Sequence, residues 1–411
     1  MAMRTRTRGR RWLQWWVIVA GILATMGIAI WVWSLPAHPD PFLQAANGDT
    51  STSPGTLLRS EPFTRGIPAT ARGWRIVYAT TDGSGSARLG SALVLAPRTA
   101  SNAPRPVVAW THGTTGVATG CAPSLLDEPF ANTPALAQAI TAGWTVVATD
   151  YAGLGTPGVH GYLIGEDEAR STLDAVRAAR GLRDTSLSNA FVLWGHSQGG
   201  HAALWSAALA PTHAPELRLA GVAALAPASD LPALVNHAQR EPVGKIISSF
   251  IVTAYSARYS ELDADTMLRP GARWLARDMA RRCLAGTRTL VSVGESLLLQ
   301  DAIFGSDPTT GALGARLRQN SADVAIAAPV WIAQGDRDEL VLPAVQAAYV
   351  ERRCEAGQAL AYRLYPGRDH LSLVAAGSPL EADLVTWTRA RFAGEIAEDS
   401  CTTLPKLNVV K

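Results

Sequence analysis

Short apolar runs alternate with amphipathic stretches along most of the chain. Runs at 74–80 and 88–96 flank the turn signal Asp82-Gly83-Ser84-Gly85 and predict two strands. Further runs at 106–110, 144–149, 191–194, 219–226, 330–334 and 360–365 read as buried strands. Between them lie helical patterns. Residues 166–183 place Ala169, Leu173 and Val176 at helical spacing. Acidic Glu166, Asp167 and Glu168 open that stretch and Arg177, Arg180 and Arg183 close it, which suits the helix dipole. Thr133-Pro134 predicts another helix start, with Thr as N-cap and Pro at the first helical position. The alanine-rich segment 201–209 and the segment 345–353 predict two more helices. Alternating β and α of this kind predicts a mostly parallel sheet covered by helices on both faces.

Three regions depart from the alternation. Residues 12–35 carry no charge, and the 21 residues from 15 to 35 would reach roughly 31 Å as a helix, enough to cross a bilayer. Tryptophans sit at both ends of this run, Trp12, Trp15 and Trp16 before it and Trp31 and Trp33 after it. Residues 36–60, rich in Pro, Ser, Thr and Gly, read as a linker. Residues 229–325 hold apolar stretches without clean strands, such as Ile246-Ile247 with Phe250-Ile251-Val252, and Leu297-Leu298-Leu299 with Ile303-Phe304. An insertion of this length predicts a helical cap rather than a structureless loop. The resulting division is 1–35 tip and anchor, 36–60 linker, 61–228 and 326–411 the two parts of the core, and 229–325 the cap.

Charge fixes the orientation of the anchor. Arg4, Arg6, Arg8, Arg10 and Arg11 precede the apolar run, and this cluster is expected to stay cytoplasmic with the body outside, in the periplasm or at the cell surface. The alternative is a cleaved signal peptide and a secreted body, although Leu35 spoils the small-residue site that ends at Ala37. Apart from those five arginines the chain carries 32 basic and 34 acidic side chains, which argues against a nucleic-acid-binding body. The four cysteines, Cys121, Cys283, Cys354 and Cys401, all fall on the outer side, where disulfides persist; from the residues alone three pairings are open.

The chemistry centres on Gly195-His196-Ser197-Gln198-Gly199. An apolar run precedes it and an alanine-rich helix follows, the setting in which a sharp strand-to-helix turn exposes a serine hydroxyl. A serine is a poor nucleophile until a base takes its proton, so an imidazole and an orienting carboxylate must follow. In this arrangement the acid comes next and then the histidine. Of the four histidines after Ser197, namely His201, His213, His237 and His370, only His370 leaves room for a strand carrying the acid. The acid is Asp338 or Asp336, both just after the strand at 330–334, with Asp338 favoured. For the oxyanion the backbone N–H of Gln198 is one expected donor, and that of Thr114 in His112-Gly113-Thr114-Thr115-Gly116 is the other, with Thr115 as its alternative. No metal-binding or nucleotide-binding motif is visible, so no cofactor is expected.

These residues resemble the α/β-hydrolase superfamily, and more narrowly the secretory lipase family around fungal lipase A. The motifs that carry the likeness are Thr111-His112-Gly113-Thr114-Thr115-Gly116, Cys121-Ala122-Pro123-Ser124, Thr149-Asp150-Tyr151-Ala152-Gly153-Leu154-Gly155, the serine elbow with Gly200, and the Asp338 and His370 segments, across about residues 60–405. The resemblance implies an α/β-hydrolase fold with an inserted lid, the disulfides Cys121–Cys283 and Cys354–Cys401, and hydrolysis of lipid or other hydrophobic esters. Competing readings are a small-molecule esterase, a peptidase on the same fold, or a catalytically silent binding protein. The family's fungal members are secreted free, whereas this chain reads as tethered.

Overall fold

The computed structural model describes residues 6–44, 52–183 and 185–402; Arg4 of the basic tip and the middle of the 36–60 stretch lie outside them. Nine strands form one sheet: β1 (Leu57–Phe63), β2 (Ala71–Thr81), β3 (Ala87–Pro97), β4 (Arg105–Thr111), β5 (Thr145–Thr149), β6 (Leu187–His196), β7 (Arg218–Leu225), β8 (Val330–Gly335) and β9 (Leu360–Tyr365). Their spatial order is β1-β2-β3-β5-β4-β6-β7-β8-β9. The first three strands and the β3–β5 pair run antiparallel, and every pair from β5 to β9 is parallel.

The chain opens with α1 (Arg6–Trp33) and the short α2 (Pro41–Gln44). The sheet is flanked by α3 (Leu136–Thr141), α4 (Gly165–Ala179), α5 (Gln198–His213), α12 (Pro343–Glu355) and α13 (Pro379–Ala393). Between β7 and β8 lie α6 (Leu231–Ala238), α7 (Pro242–Arg258), α8 (Ala264–Met267), α9 (Arg273–Ala280), α10 (Thr289–Leu298) and α11 (Gly311–Asn320).

Residue alternation along β6 shows how the layers are built. Phe191 and Leu193 join Leu173 and Val176 of α4 and Leu204 of α5 on one face. Val192 and Trp194 face the other way, toward Ile140 of α3 and Leu380 and Leu384 of α13. A strand sandwiched between two helical layers must be apolar at every position, which is why it reads as a continuous run. The cap has its own core, where Ile246, Ile247, Phe250 and Ile251 of α7 meet Ile303 and Phe304.

Two expectations need correction. The first part of the 36–60 stretch is not a free linker: Leu43 is 0% exposed against the body, and Asp40 pairs with Arg75 at 2.6 Å. The last part, from Leu57, enters the sheet as β1 beside β2. The helix expected from Thr133-Pro134 starts only at Leu136, because Ala135 adopts a left-handed conformation and gives its N–H to Glu381.

Both disulfides are formed, Cys121–Cys283 between the loop after β4 and the cap, and Cys354–Cys401 between α12 and the C-terminal segment. Their sequence separations are 162 and 47 residues. In the chain-entropy treatment, loops of that size stabilise by up to about 5 and 4 kcal/mol respectively. Cys121→Ser/Cys283→Ser is therefore expected to lower the urea midpoint more than Cys354→Ser/Cys401→Ser. Equal midpoints for wild type and both double variants would contradict this.

Candidate active site

The C-terminal ends of β4, β6, β8 and β9 meet at one edge of the sheet, where loops of an open α/β fold gather functional groups. Ser197 sits between β6 and α5 with φ 58° and ψ −120°, a conformation that L-residues rarely adopt. Such backbone costs about 1–3 kcal/mol and persists only where the surroundings impose it. Here they do. A Cβ on Gly195 would stand 2.0 Å from the Gly199 carbonyl oxygen, and one on Gly199 would stand 1.9 Å from the Thr111 carbonyl oxygen. The Thr111 hydroxyl lies within hydrogen-bonding distance of the carbonyl oxygens of both Trp194 and Gly199, at 2.9 and 2.7 Å. The Ser197 N–H donates to the Leu225 carbonyl at 2.9 Å. The two elbow glycines are thus required by close approach.

His370 lies on the loop after β9. Its Nε2 is 2.9 Å from Ser197 Oγ, and its Nδ1 is 2.7 Å from Asp338 Oδ2. Asp338 is buried, and its Oδ1 accepts the backbone N–H groups of Leu340 and Val341 at 2.9 and 2.8 Å. Gln334 Nε2 donates to Oδ2 at 3.0 Å. Burial alone would raise the Asp338 pKa. The imidazole of His370 and the two N–H donors outweigh it and hold the carboxyl below its ordinary value. Asp336 does something else. It is exposed and accepts the Gly367 N–H at 2.6 Å, so it fixes the turn after β9 and does not touch His370.

His196 braces the same loop. Its Nε2 donates to the His370 carbonyl at 2.9 Å, and the two rings lie 4.6 Å apart. Burial, helped by the neighbouring imidazole, pushes the His196 pKa down to about 3, so it stays neutral.

The loop after β4 passes beside the serine: a Cβ on Gly113 would stand 3.7 Å from Ser197 Cβ. The Thr114 hydroxyl is hydrogen-bonded to the Tyr162 hydroxyl at 2.8 Å. The Thr115 hydroxyl is buried without a partner, and its carbonyl accepts the Leu284 N–H at 2.7 Å. Gln198 opens α5, so its N–H lies in the first turn, where no intrahelical acceptor exists. Among the described residues no group of three or more His, Cys, Asp or Glu side chains could hold a metal ion.

A profile of the secretory lipase family matches residues 130–400. The chain belongs to the secretory lipase family. Lipase 6 of Candida albicans is 27% identical over 263 residues, 58% of this chain and 54% of that one. Lipase A of Arthroderma benhamiae is 25% identical over 244 residues, 57% of this chain and 50% of that one. This chain spans about half the length of the curated relatives it matches. Among solved structures, Candida antarctica lipase A superposes with a TM-score of 0.70 at 20% identity over 90% of both chains. The rice cell wall degrading esterase LipA of Xanthomonas oryzae gives 0.69 at 19% identity, over 84% of this chain and all of that one. What these structures share with the present family member is the α/β-hydrolase fold.

A polar layer lies beneath the elbow of this secretory lipase-family protein, and no motif in the sequence announces it. Glu168, 1% exposed, accepts the Leu163 N–H at 3.0 Å and Gln198 Nε2 at 2.7 Å through Oε1. Its Oε2 lies 2.9 Å from His201 Nδ1, while His201 Nε2 donates to the Asn320 carbonyl at 2.7 Å. Gln198 Nε2 also faces His160 Nε2 at 3.0 Å. Burial, with the nearby His112 ring, holds His160 neutral with a pKa of about 3. Helical position does not single it out: Glu166, two turns before Leu173, lies nearer the apolar stripe and is exposed, whereas Glu168 is buried.

Proposed function

We propose that this protein is a serine hydrolase of carboxylic esters. The observation that carries this reading is the unbroken run of contacts from Ser197 Oγ to His370 Nε2 at 2.9 Å and from His370 Nδ1 to Asp338 at 2.7 Å, on a strained elbow. In this reading His370 takes the hydroxyl proton as Ser197 Oγ attacks the acyl carbonyl. Asp338, ionised, keeps the Nδ1 proton in place and stabilises the imidazolium that forms. The backbone N–H groups of Gln198 and Thr114 donate to the oxyanion of the tetrahedral intermediate. His370 then returns the proton to the leaving alcohol, and an acyl-enzyme remains. Water, deprotonated by the same imidazole, attacks the acyl carbon; the carboxylic acid leaves and Ser197 regains its proton.

The substrate side of the proposal is a hydrophobic acyl ester. It rests on family membership and on relatives named lipases. The first apolar stretch of the cap does not add to it, because Ile246, Ile247, Phe250 and Ile251 are spent on the cap's own core. A p-nitrophenyl ester series from acetyl to palmitoyl, assayed with the full chain in detergent, is expected to peak at medium or long acyl chains. A rate confined to acetyl and propionyl would replace the lipase reading with a small-molecule esterase. No hydrolysis at any length would favour a peptidase or a silent binding protein.

The family, the disulfides and the apolar N-terminal helix together support an extracytoplasmic or secreted body. We further propose that the helix is retained as an anchor. The 20-residue stretch Gln14–Trp33 contains an 18-residue window with a mean hydropathy of 2.1, and none of that window is buried by the protein. Cleavage near residue 38 would also discard Trp31 and Ser34, which bond to Asp278 and Arg282 of the body. Membranes washed with alkaline carbonate are expected to keep the protein. A mature N-terminus near residue 38 would refute retention.

A further inference from the structure

The outer end of α1 is latched to the cap. Trp31 Nε1 donates to Asp278 Oδ2 at 3.1 Å. Arg282 donates to the Trp31 carbonyl at 3.1 Å and to the Ser34 hydroxyl, and its guanidinium lies 5.1 Å from the centroid of the Trp31 ring. Arg288, immediately before α10, donates to the Leu35 carbonyl at 3.3 Å and stands over Trp33 at 5.6 Å.

The latch is joined to the candidate site through three consecutive residues. Arg282 holds the helix end, Cys283 is bonded to Cys121, and the Leu284 N–H donates to the Thr115 carbonyl. Thr115 belongs to the loop that passes Ser197. The anchor, the cap segment 282–284 and that loop are therefore mechanically continuous.

The elements that receive the anchor carry an apolar surface. Leu290, Leu297 and Leu298 of α10 are 70%, 66% and 73% exposed, and Trp274 of α9 is 67% exposed. The spacing i, i+7, i+8 puts the three leucines on one face of α10. The only charged residue of α10, Glu295, is buried on the opposite side between Asp278 and Arg282. Burial and the Asp278 carboxylate raise the Glu295 pKa to about 8. Four exposed large apolar side chains on a soluble surface mark an interaction site, and these begin where the spanning helix ends.

We infer that the α9–α10 face of the cap lies on the outer leaflet of the bilayer that α1 crosses, with Leu290, Leu297, Leu298 and Trp274 in contact with lipid. This rests on the anchored-hydrolase reading above. The occupant is the protein's own membrane, because the latch places this face beside the helix end and no exposed charge on α10 opposes insertion. An apolar helical face with flanking arginines, here Arg281 and Arg288, is the pattern of an interfacial helix, while Arg273 and Arg277 pair with Asp265. The latch then presents the serine loop to esters dissolved in that leaflet.

The test uses the full chain in phospholipid nanodiscs, with p-benzoylphenylalanine in place of Leu297. Irradiation is expected to give a phospholipid adduct detectable by mass spectrometry. In parallel, Leu290→Ser/Leu297→Ser/Leu298→Ser is expected to hydrolyse a long-chain ester embedded in the bilayer at least tenfold more slowly than wild type, with the rate on a water-soluble butyrate ester unchanged. Absence of lipid adducts, adducts only to a second copy of the chain, or equal loss on both esters would overturn the inference. If wild type hydrolyses neither ester, the hydrolase reading fails while the lipid adduct still decides the docking.

Discussion

Replacing Ser197 by alanine is expected to lower kcat for ester hydrolysis by about 10⁴- to 10⁶-fold, while the melting temperature changes by only a few degrees. His370 Nε2 faces the Ser197 hydroxyl at 2.9 Å, so the substitution removes the group that this imidazole would deprotonate. Nucleophile removal in enzymes of this mechanism leaves only the rate enhancement supplied by binding and the oxyanion donors. The substitution keeps the fold because alanine retains the Cβ and the positive φ that the elbow already imposes. The hydroxyl lost is the one that meets the imidazole of His370. Steady-state kinetics with thermal unfolding on the same preparation separates loss of chemistry from loss of structure. A fall of less than tenfold in a folded variant would place the nucleophile elsewhere.

The second large effect is at the carboxylate. Asp338→Asn is expected to cost about 10⁴-fold in kcat, and Asp336→Asn only a few-fold. An asparagine at 338 can still accept the Leu340 and Val341 N–H groups through its oxygen. Its NH₂ would then face His370 Nδ1, which must give up its proton to accept that bond. The remaining proton moves to Nε2, where it blocks abstraction from Ser197. At 336 an asparagine oxygen still accepts the Gly367 N–H, so the turn survives. The side-by-side kinetics of the two variants check this, and the reverse order of effects would transfer the orienting role to Asp336.

Much of the sheet was legible because strands buried on both faces must be apolar throughout, as β6 is. The strand that escaped, β1, has the sequence Leu-Leu-Arg-Ser-Glu-Pro-Phe, and it lies at the sheet edge with Arg59 and Ser60 exposed. An edge strand needs no continuous apolar run, so it leaves no such signal. Residues 36–44 read as a linker for a related reason. Their attachment depends on single long-range contacts, Leu43 into a pocket of the body and Asp40 to Arg75, which composition does not encode.

The candidate site divides along the same line. Ser197 and His370 follow from a local motif and from chain order. The choice between Asp336 and Asp338 depends on which way a two-residue turn points, toward Gly367 or toward His370, and that is set by the packing of the β8 and β9 loops. Glu168 was hidden in a cluster of first-turn acids that reads as dipole compensation, although one of the three is buried beneath the elbow. The cap was equally ambiguous. Apolar residues on α7 and on α10 look alike in sequence, yet the first set closes a core and three members of the second, Leu290, Leu297 and Leu298, face outward.

The most direct test of Ser197 as an activated nucleophile is covalent labelling by a fluorophosphonate, read as intact mass and by peptide mapping. Wild type is expected to gain one phosphonyl group, with loss of fluoride, on the peptide containing Gly195-His196-Ser197-Gln198-Gly199, and Ser197→Ala is expected to gain none. A label mapped to any other residue, or one that persists in the folded Ser197→Ala protein, would contradict the account.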